Sequence, residues 1–295
     1  MAVVWLLIVE LGVRRWLASL IVLAVATLQA TWLQATTAEV YALNGFFTAI
    51  LLLIAIRSKD YGERSLLLLG YVGGLSISHH LSLLYPLVVS MFIVWRISRA
   101  KLRTHIIMTS FFLFLIGLTF WLYVPLRSAL KPPLVWGRTD TLSGFIAHVT
   151  AQGYRWRLRP LDFIGRTHDF IGFFRLAVHE FGFPLCLLAA WGVIAWLRRN
   201  PWIAGAFFAL VLLFAAHFAM YNIPDISSHI FPAIAGVAVL SAVGANDLLV
   251  RLSRIRYGRI ALIIVLSFLV ALNIANVGPR ADEWFASDYA HAIVM

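Results

Sequence analysis

The sequence predicts an all-α integral membrane protein, a polytopic bundle of about eight to nine transmembrane or re-entrant helices. Of its 295 residues, 62% are hydrophobic and only 13% are charged, and the mean hydropathy is +0.88. A water-soluble domain needs charged groups over its exposed shell, and this chain has too few. Apolar runs approaching the ~18–20 residues that a helix needs to cross the hydrocarbon core recur along it. Unpaired backbone groups are costly in lipid, so these runs are helical. The period-2 alternation of a transmembrane barrel is missing.

Taken in order, the runs are Leu17–Ala35, Val40–Ile56, Ser65–Ser78, Leu81–Trp95, Ile106–Val124, Phe181–Leu197, Trp202–Tyr221, His229–Leu249 and Ile260–Val277. The third and fourth are short, and a re-entrant hairpin accounts for them as well as two full spans do. Gly73-Gly74 and the polar cluster Ser76–Ser82 mark where that segment turns. Val3–Leu11 is too short to cross and reads as the last turns of a helix, so the chain is expected to be a piece of a longer protein. Neither a signal peptide nor an internal repeat is visible, and the single Cys186 can form no internal disulfide. Residues 1–295 are expected to form one membrane domain.

A net charge of +11 is read through loop placement rather than as a nucleic-acid footprint, and no nucleic-acid partner is expected. Fifteen of the 24 Lys and Arg residues fall in alternate connections, at Arg14–Arg15, Arg57–Arg64, Arg96–Arg103, Arg198–Arg199 and Arg251–Arg259. The positive-inside rule puts these in the cytoplasm and the turns near Thr36–Glu39, His79–His80 and Asn222–Ser228 outside. Parity also places the long connection 125–180 outside, with eight of the remaining basic residues. Within it, Leu142, Phe145, Ile146 and Val149 share one helical face, and Phe170, Phe173, Phe174 and Ala177 share another. Both segments read as amphipathic helices in the interface.

Ionisable groups at membrane depth are candidates for function, and here they gather at the outer ends of the helices. Glu39 opens a helix, where the macrodipole also favours it as a plain cap. Tyr41 reads equally as an interfacial aromatic, while Asn44 lies one turn further in. His79 and His80 point about 100° apart on a helix, so they share a metal only if Glu39 or Asp225 converges on them. Hydrogen bonding to a polar substrate is the simpler role, and no metal and no cofactor are assigned. Arg127 and Lys131 stand at lipid-phosphate depth, where they fit either a lipid-linked anionic substrate or ordinary headgroups. Asp225 ends a span at Pro224, which stops the helix. Phosphate-cradling glycine loops, HExxH and GxSxG are all lacking, so ATP-driven transport and standard hydrolase chemistry are poorly supported.

Several of these stretches carry a resemblance. Leu33-Gln34-Ala35, Ala38 to Asn44, Gly74-Leu75-Ser76 to His79-His80-Leu81, Tyr123-Val124-Pro125-Leu126-Arg127, Pro132 to Gly137, His148-Val149, Gln152 to Arg155 and Ile223-Pro224-Asp225 resemble one multispan membrane family. It is the family, long of unknown function, that includes the transmembrane-protein-260 type of protein O-mannosyltransferase, within the glycosyltransferase-C superfamily. The resemblance implies transfer of a sugar from a polyisoprenyl-phosphate donor to a hydroxyl of an acceptor protein or glycan, on the extracytoplasmic face. It implies that Arg127 holds the phosphate, that Glu39, His79, His80 and Asp225 line the pocket, and that Trp136, Asp140, Tyr154 and Arg155 shape its loop side.

Such enzymes place an acidic motif in the first outer loop, and no stretch upstream of Val3–Leu11 carries it here. No catalytic residue is therefore assigned, and the chain alone is expected to be inactive. Residues 278–295 resemble the start of the family's extracytoplasmic tail. The compact loops favour a bacterial inner membrane over the endoplasmic reticulum. Two further readings stay open, a lipid or small-solute transporter and a non-catalytic scaffold subunit.

Overall fold

The computed structural model describes residues 1–37, 40–98, 103–133, 137–158, 163–223 and 226–276, with backbone only at 98 and 163–168. Fifteen α-helices follow one another among these residues. They are α1 (Ala2–Glu10), α2 (Arg15–Ala26), α3 (Gln29–Thr36), α4 (Tyr41–Tyr61), α5 (Glu63–His79), α6 (Leu84–Ser98), α7 (Thr104–Leu118) and α8 (Tyr123–Ala129), then α9 (Leu142–Val149), α10 (Phe163–Phe181), α11 (Phe183–Leu197), α12 (Pro201–Met220), α13 (Ile226–Ile230), α14 (Ile234–Leu252) and α15 (Gly258–Asn276). No strand occurs among the described residues, apart from a single bridge between Leu158 and Tyr221. The protein is an all-α polytopic membrane protein.

By length and composition, five helical stretches are able to cross a membrane: Tyr41–Tyr61, Thr104–Ala129, Pro201–Met220, Ile226–Leu252 and Gly258–Asn276. Two bent pairs bring the number to seven. The first pair is α2–α3, which kinks by 68° where the sequence reads as one continuous run. A broken helix in lipid must satisfy its freed carbonyls, and threonines do so here. Thr27 Oγ1 donates to Leu23 O at 2.8 Å, and Thr31 Oγ1 donates to Val25 O at 2.7 Å. The second pair, α10–α11, turns by 117° at Gly182, whose φ of +80° suits glycine, with Pro184 opening α11.

Gly73 and Gly74 do not turn the chain, contrary to the sequence reading. They lie inside α5, and the turn comes at His80. Their value is close approach rather than flexibility. A Cβ at Gly74 would collide with the carbonyl of Phe114 on α7, and one at Gly73 would meet Leu87 on α6. α5 has 17 residues, and Leu81–Ile97 is a shorter apolar helix than the five long stretches.

Small residues set the other main crossing as well. Lipid tails are as apolar as leucine, so helices in a bilayer gain little from hydrophobic exclusion and depend on backbone approach and hydrogen bonds. Gly192 of α11 sits on the Leu240 carbonyl of α14, and Gly244 of α14 sits on the Leu188 carbonyl of α11. Ser241 Oγ donates across the same seam to Leu185 O at 2.8 Å. Gly192→Leu is expected to lower stability by at least the ~1–3 kcal/mol typical of overpacking, because backbone rather than a flexible side chain blocks it. Thermal unfolding in detergent checks this, and a wild-type midpoint would mean that the two helices do not approach here.

α4 and the Ile226–Leu252 stretch form the centre, with 67% and 78% of their apolar windows buried. Thr104–Ala129 and α15 form the periphery at 11% and 17%, as lipid-facing helices do. Basic residues collect at one end of the bundle. Arg57 pairs with Glu10 at 2.8 Å, Arg103 with Glu63 at 2.9 Å, and Arg199 and Arg251 both pair with Asp247. Arg96 of α6 stacks over Trp202 at the start of α12. The expected amphipathic segments are both helical. In α9 the apolar face is open, with Leu142 and Ile146 exposed. In α10, Phe173 and Ala177 are buried while Phe174 is exposed.

Candidate functional site

At the end of the bundle opposite the ion pairs, six imidazole and phenol rings meet. Tyr41 opens α4, His80 caps α5, Tyr85 starts α6, His217 and Tyr221 close α12, and His229 sits in α13. The Tyr85 hydroxyl lies 3.0 Å from His217 Nδ1, and His217 Nε2 lies 3.3 Å from His229 Nδ1. The His229 ring packs at 5.1 Å from Tyr41, 5.4 Å from His80 and 5.8 Å from Tyr221. Gln34 of α3 donates to Ser228 Oγ at 3.0 Å, tying the broken helix to this end. Tyr41 is buried and the other five rings are half-buried, so the cluster has an exposed side.

His80 is the most defined member. Its Nδ1 accepts the backbone N–H of Ser82 at 3.2 Å, capping the short 3-10 helix Leu81–Leu83, and also lies 2.8 Å from Ser82 Oγ. A backbone N–H only donates, so Nδ1 is unprotonated and the neutral ring carries its proton on Nε2. Burial holds the His80 pKa down to about 4, helped by the neighbouring His79 and by His217. His79 itself turns toward the start of α4, with Nε2 3.2 Å from Val40 O.

Of the residues singled out from the sequence, Tyr41 and His80 belong to this cluster, and His79 flanks it. Asn44 is fully buried one turn inward of Tyr41, and neither polar atom of its side chain has a partner. Arg127 and Lys131 are exposed at the end of the Thr104–Ala129 rod, and no contact joins them to the rings. Asp140 is exposed before α9. Tyr154 and Arg155 lie in the 3-10 helix Gln152–Arg157, whose end docks onto the cluster. There Asn222 N–H donates to Arg157 O at 3.0 Å, and Leu158 bridges Tyr221. Glu39, Trp136 and Asp225 lie outside the described residues. Among the described residues no group of three or more His, Cys, Asp or Glu side chains could hold a metal ion.

The sequence reading missed Tyr85, His217, Tyr221 and His229. A histidine in the last turn of an apolar span was the available signal, since ionisable groups are rare there without a reason. It also passed over Glu180, which lines a small hollow with Gln34 and Ser227.

Residues 11–104 match the family model described as the Protein O-mannosyl-transferase TMEM260 N-terminal domain, a region that includes Tyr41, His80 and Tyr85. The chain is related to the TMEM260 type of protein O-mannosyltransferase. It is 26% identical over 247 residues to the Protein O-mannosyl-transferase TMEM260 of Mus musculus, covering 76% of this chain and 35% of that protein. The chain thus spans about a third of the length of the curated relative it matches. No solved structure matches it. The TMEM260 relative is murine and lends no support to a bacterial inner membrane.

Proposed function

We propose that this chain forms the outer-face pocket of a membrane glycosyltransferase that moves a sugar from a polyisoprenyl-phosphate donor to a hydroxyl of an acceptor protein. The observation that carries the reading is the convergence of Tyr41, His80, Tyr85, His217, Tyr221 and His229 from separate helices onto one end of an apolar bundle. Desolvated polar groups at that depth are costly and call for a polar ligand. The TMEM260-type relationship supplies the reaction class. In the transfer, the acceptor oxygen bonds to the anomeric carbon, the bond from that carbon to the phosphate oxygen breaks, and the lipid phosphate leaves with the electron pair. The hydroxyl proton goes to a base, a role assigned to no residue of this chain. Arg127 and Lys131 stabilise the departing phosphate. An apolar hollow of about 520 Å³ between α7 and α9, bounded by Leu118, Trp121 and Phe145, offers room for the isoprenoid chain just before Arg127.

Arg127→Ala is expected to weaken binding of polyprenyl-phosphate mannose to the protein in lipid nanodiscs by about 10- to 100-fold, the effect of losing a charge-assisted bond. Unchanged binding would remove Arg127 from the phosphate site. The kinked α2–α3 span favours one alternative, a lipid transporter built on a broken helix. Movement of sugar-free polyprenyl phosphate across vesicles containing the protein would favour it.

A further inference from the structure

Within the proposed site, the chemistry divides by charge. Among the described residues no carboxylate, lysine or arginine contacts His80, Tyr85 or His217: their partners are the Ser82 amide and hydroxyl, Phe214 and the other rings of the cluster. Between Arg127 and Arg157 the loop instead carries five cations, Arg127, Lys131, Arg138, Arg155 and Arg157, and one carboxylate, Asp140. A phosphate asks for cations. A sugar ring asks for neutral donors and acceptors for its hydroxyls and flat aromatic faces for its C–H groups. The ring cluster matches the second demand and the loop the first.

Resting on the transferase reading, we propose that the imidazole–phenol cluster is the subsite for the neutral sugar ring, with His80 donating from Nε2–H to a sugar hydroxyl. The Ser82 amide fixes the tautomer, so the donor faces away from the cap. Among the described residues nothing hydrogen-bonds Nε2, and His80 as a residue is only half-buried. His80 is a positioning residue for the donor sugar rather than the base, since a ring whose Nδ1 is occupied and whose Nε2 carries hydrogen has no lone pair to offer.

The test uses His80→Asn and two probes, polyprenyl-phosphate mannose and bare polyprenyl phosphate, bound to the protein in nanodiscs. Asparagine keeps an acceptor at the δ position and favours N-caps, but it has no donor where Nε2 stands. The expected result is about a 10-fold loss of affinity for the mannose-linked probe with no change for the bare phosphate, the size of one hydrogen bond. His80→Gln restores a donor at the ε position and is expected to regain most of the preference for the mannose-linked probe. Because the readout is a ratio of two affinities on one sample, partial unfolding cancels. Equal losses for both probes, or an unchanged ratio in His80→Asn, would overturn the assignment and leave His80 as a cap. If the unaltered protein binds neither probe, the transferase reading itself fails.

Discussion

Replacing Arg199 and Arg251 together by alanine is expected to destabilise the protein by about 3–5 kcal/mol, the cost of stranding a buried charge. The Asp247 side chain is 4% exposed near the basic end of α14. Its Oδ1 accepts Arg199 Nη2 at 2.8 Å, and its Oδ2 accepts Arg251 Nε at 2.7 Å and Trp191 Nε1 at 3.1 Å. With both guanidiniums gone, only the indole N–H remains for a full negative charge at a helix crossing. Either single substitution leaves one guanidinium in place and costs less, so the two effects are more than additive. Adding Asp247→Leu to the double variant is expected to recover much of the loss, because an apolar residue needs no partner. Thermal midpoints of the five proteins in one detergent decide the matter. A double variant as stable as the parent would show that the carboxylate is solvated.

Positions of the helices were legible because the bilayer makes apolar length a strong signal. Tyr41–Tyr61, Pro201–Met220 and Gly258–Asn276 lie close to the runs read from hydropathy. The kink at Thr27 was hidden, since hydropathy stays high through it and the threonines that make it tolerable carry no periodic mark. Gly73-Gly74 misled for a related reason. A glycine pair means a turn in water, where backbone freedom dominates, but in a membrane it more often means close helix packing. Nothing local distinguishes the two; the difference lies in whether α7 brings the Phe114 carbonyl to that face.

The site was half legible. His80 and Tyr41 stood out because they occupy outer turns beside recognisable stretches. His217 and His229 did not, being single histidines more than a hundred residues away whose meaning depends on α12 packing against α6 and on α13 bringing His229 to Tyr41 of α4. Arg127 and Lys131 show the opposite case. Their exposed position at the end of the Thr104–Ala129 stretch was readable, yet no contact connects them to the rings. Any joint role depends on a ligand long enough to reach both, which a lipid-linked sugar is.

Acidification gives the second large effect, and its sign follows from His80. Burial holds this imidazole down to about 4 from 6.5, with His79 and His217 adding to it. The unfolded chain therefore binds more protons between those values, so the stabilising neutral form is fully present above pH ~6.5 and its contribution falls as pH drops toward ~4. At about 1.4 kcal/mol per pKa unit, the full loss is at most about 3.5 kcal/mol, less whatever the half-exposed ring recovers from solvent. Among the described residues, Tyr41 from α4, His217 from α12, His229 from α13 and His79 beside it are the titratable groups that face it, and the other histidines add their own slopes. His80→Asn isolates its share. Between about pH 7.5 and about pH 5, the thermal midpoint should fall further in the parent than in the variant. Over the same range the parent's preference for the mannose-linked probe should stay flat, whereas a ring titrating near 6.5 would convert to imidazolium midway. Equal falls in the two proteins would mean that His80 is solvated and titrates like a surface histidine.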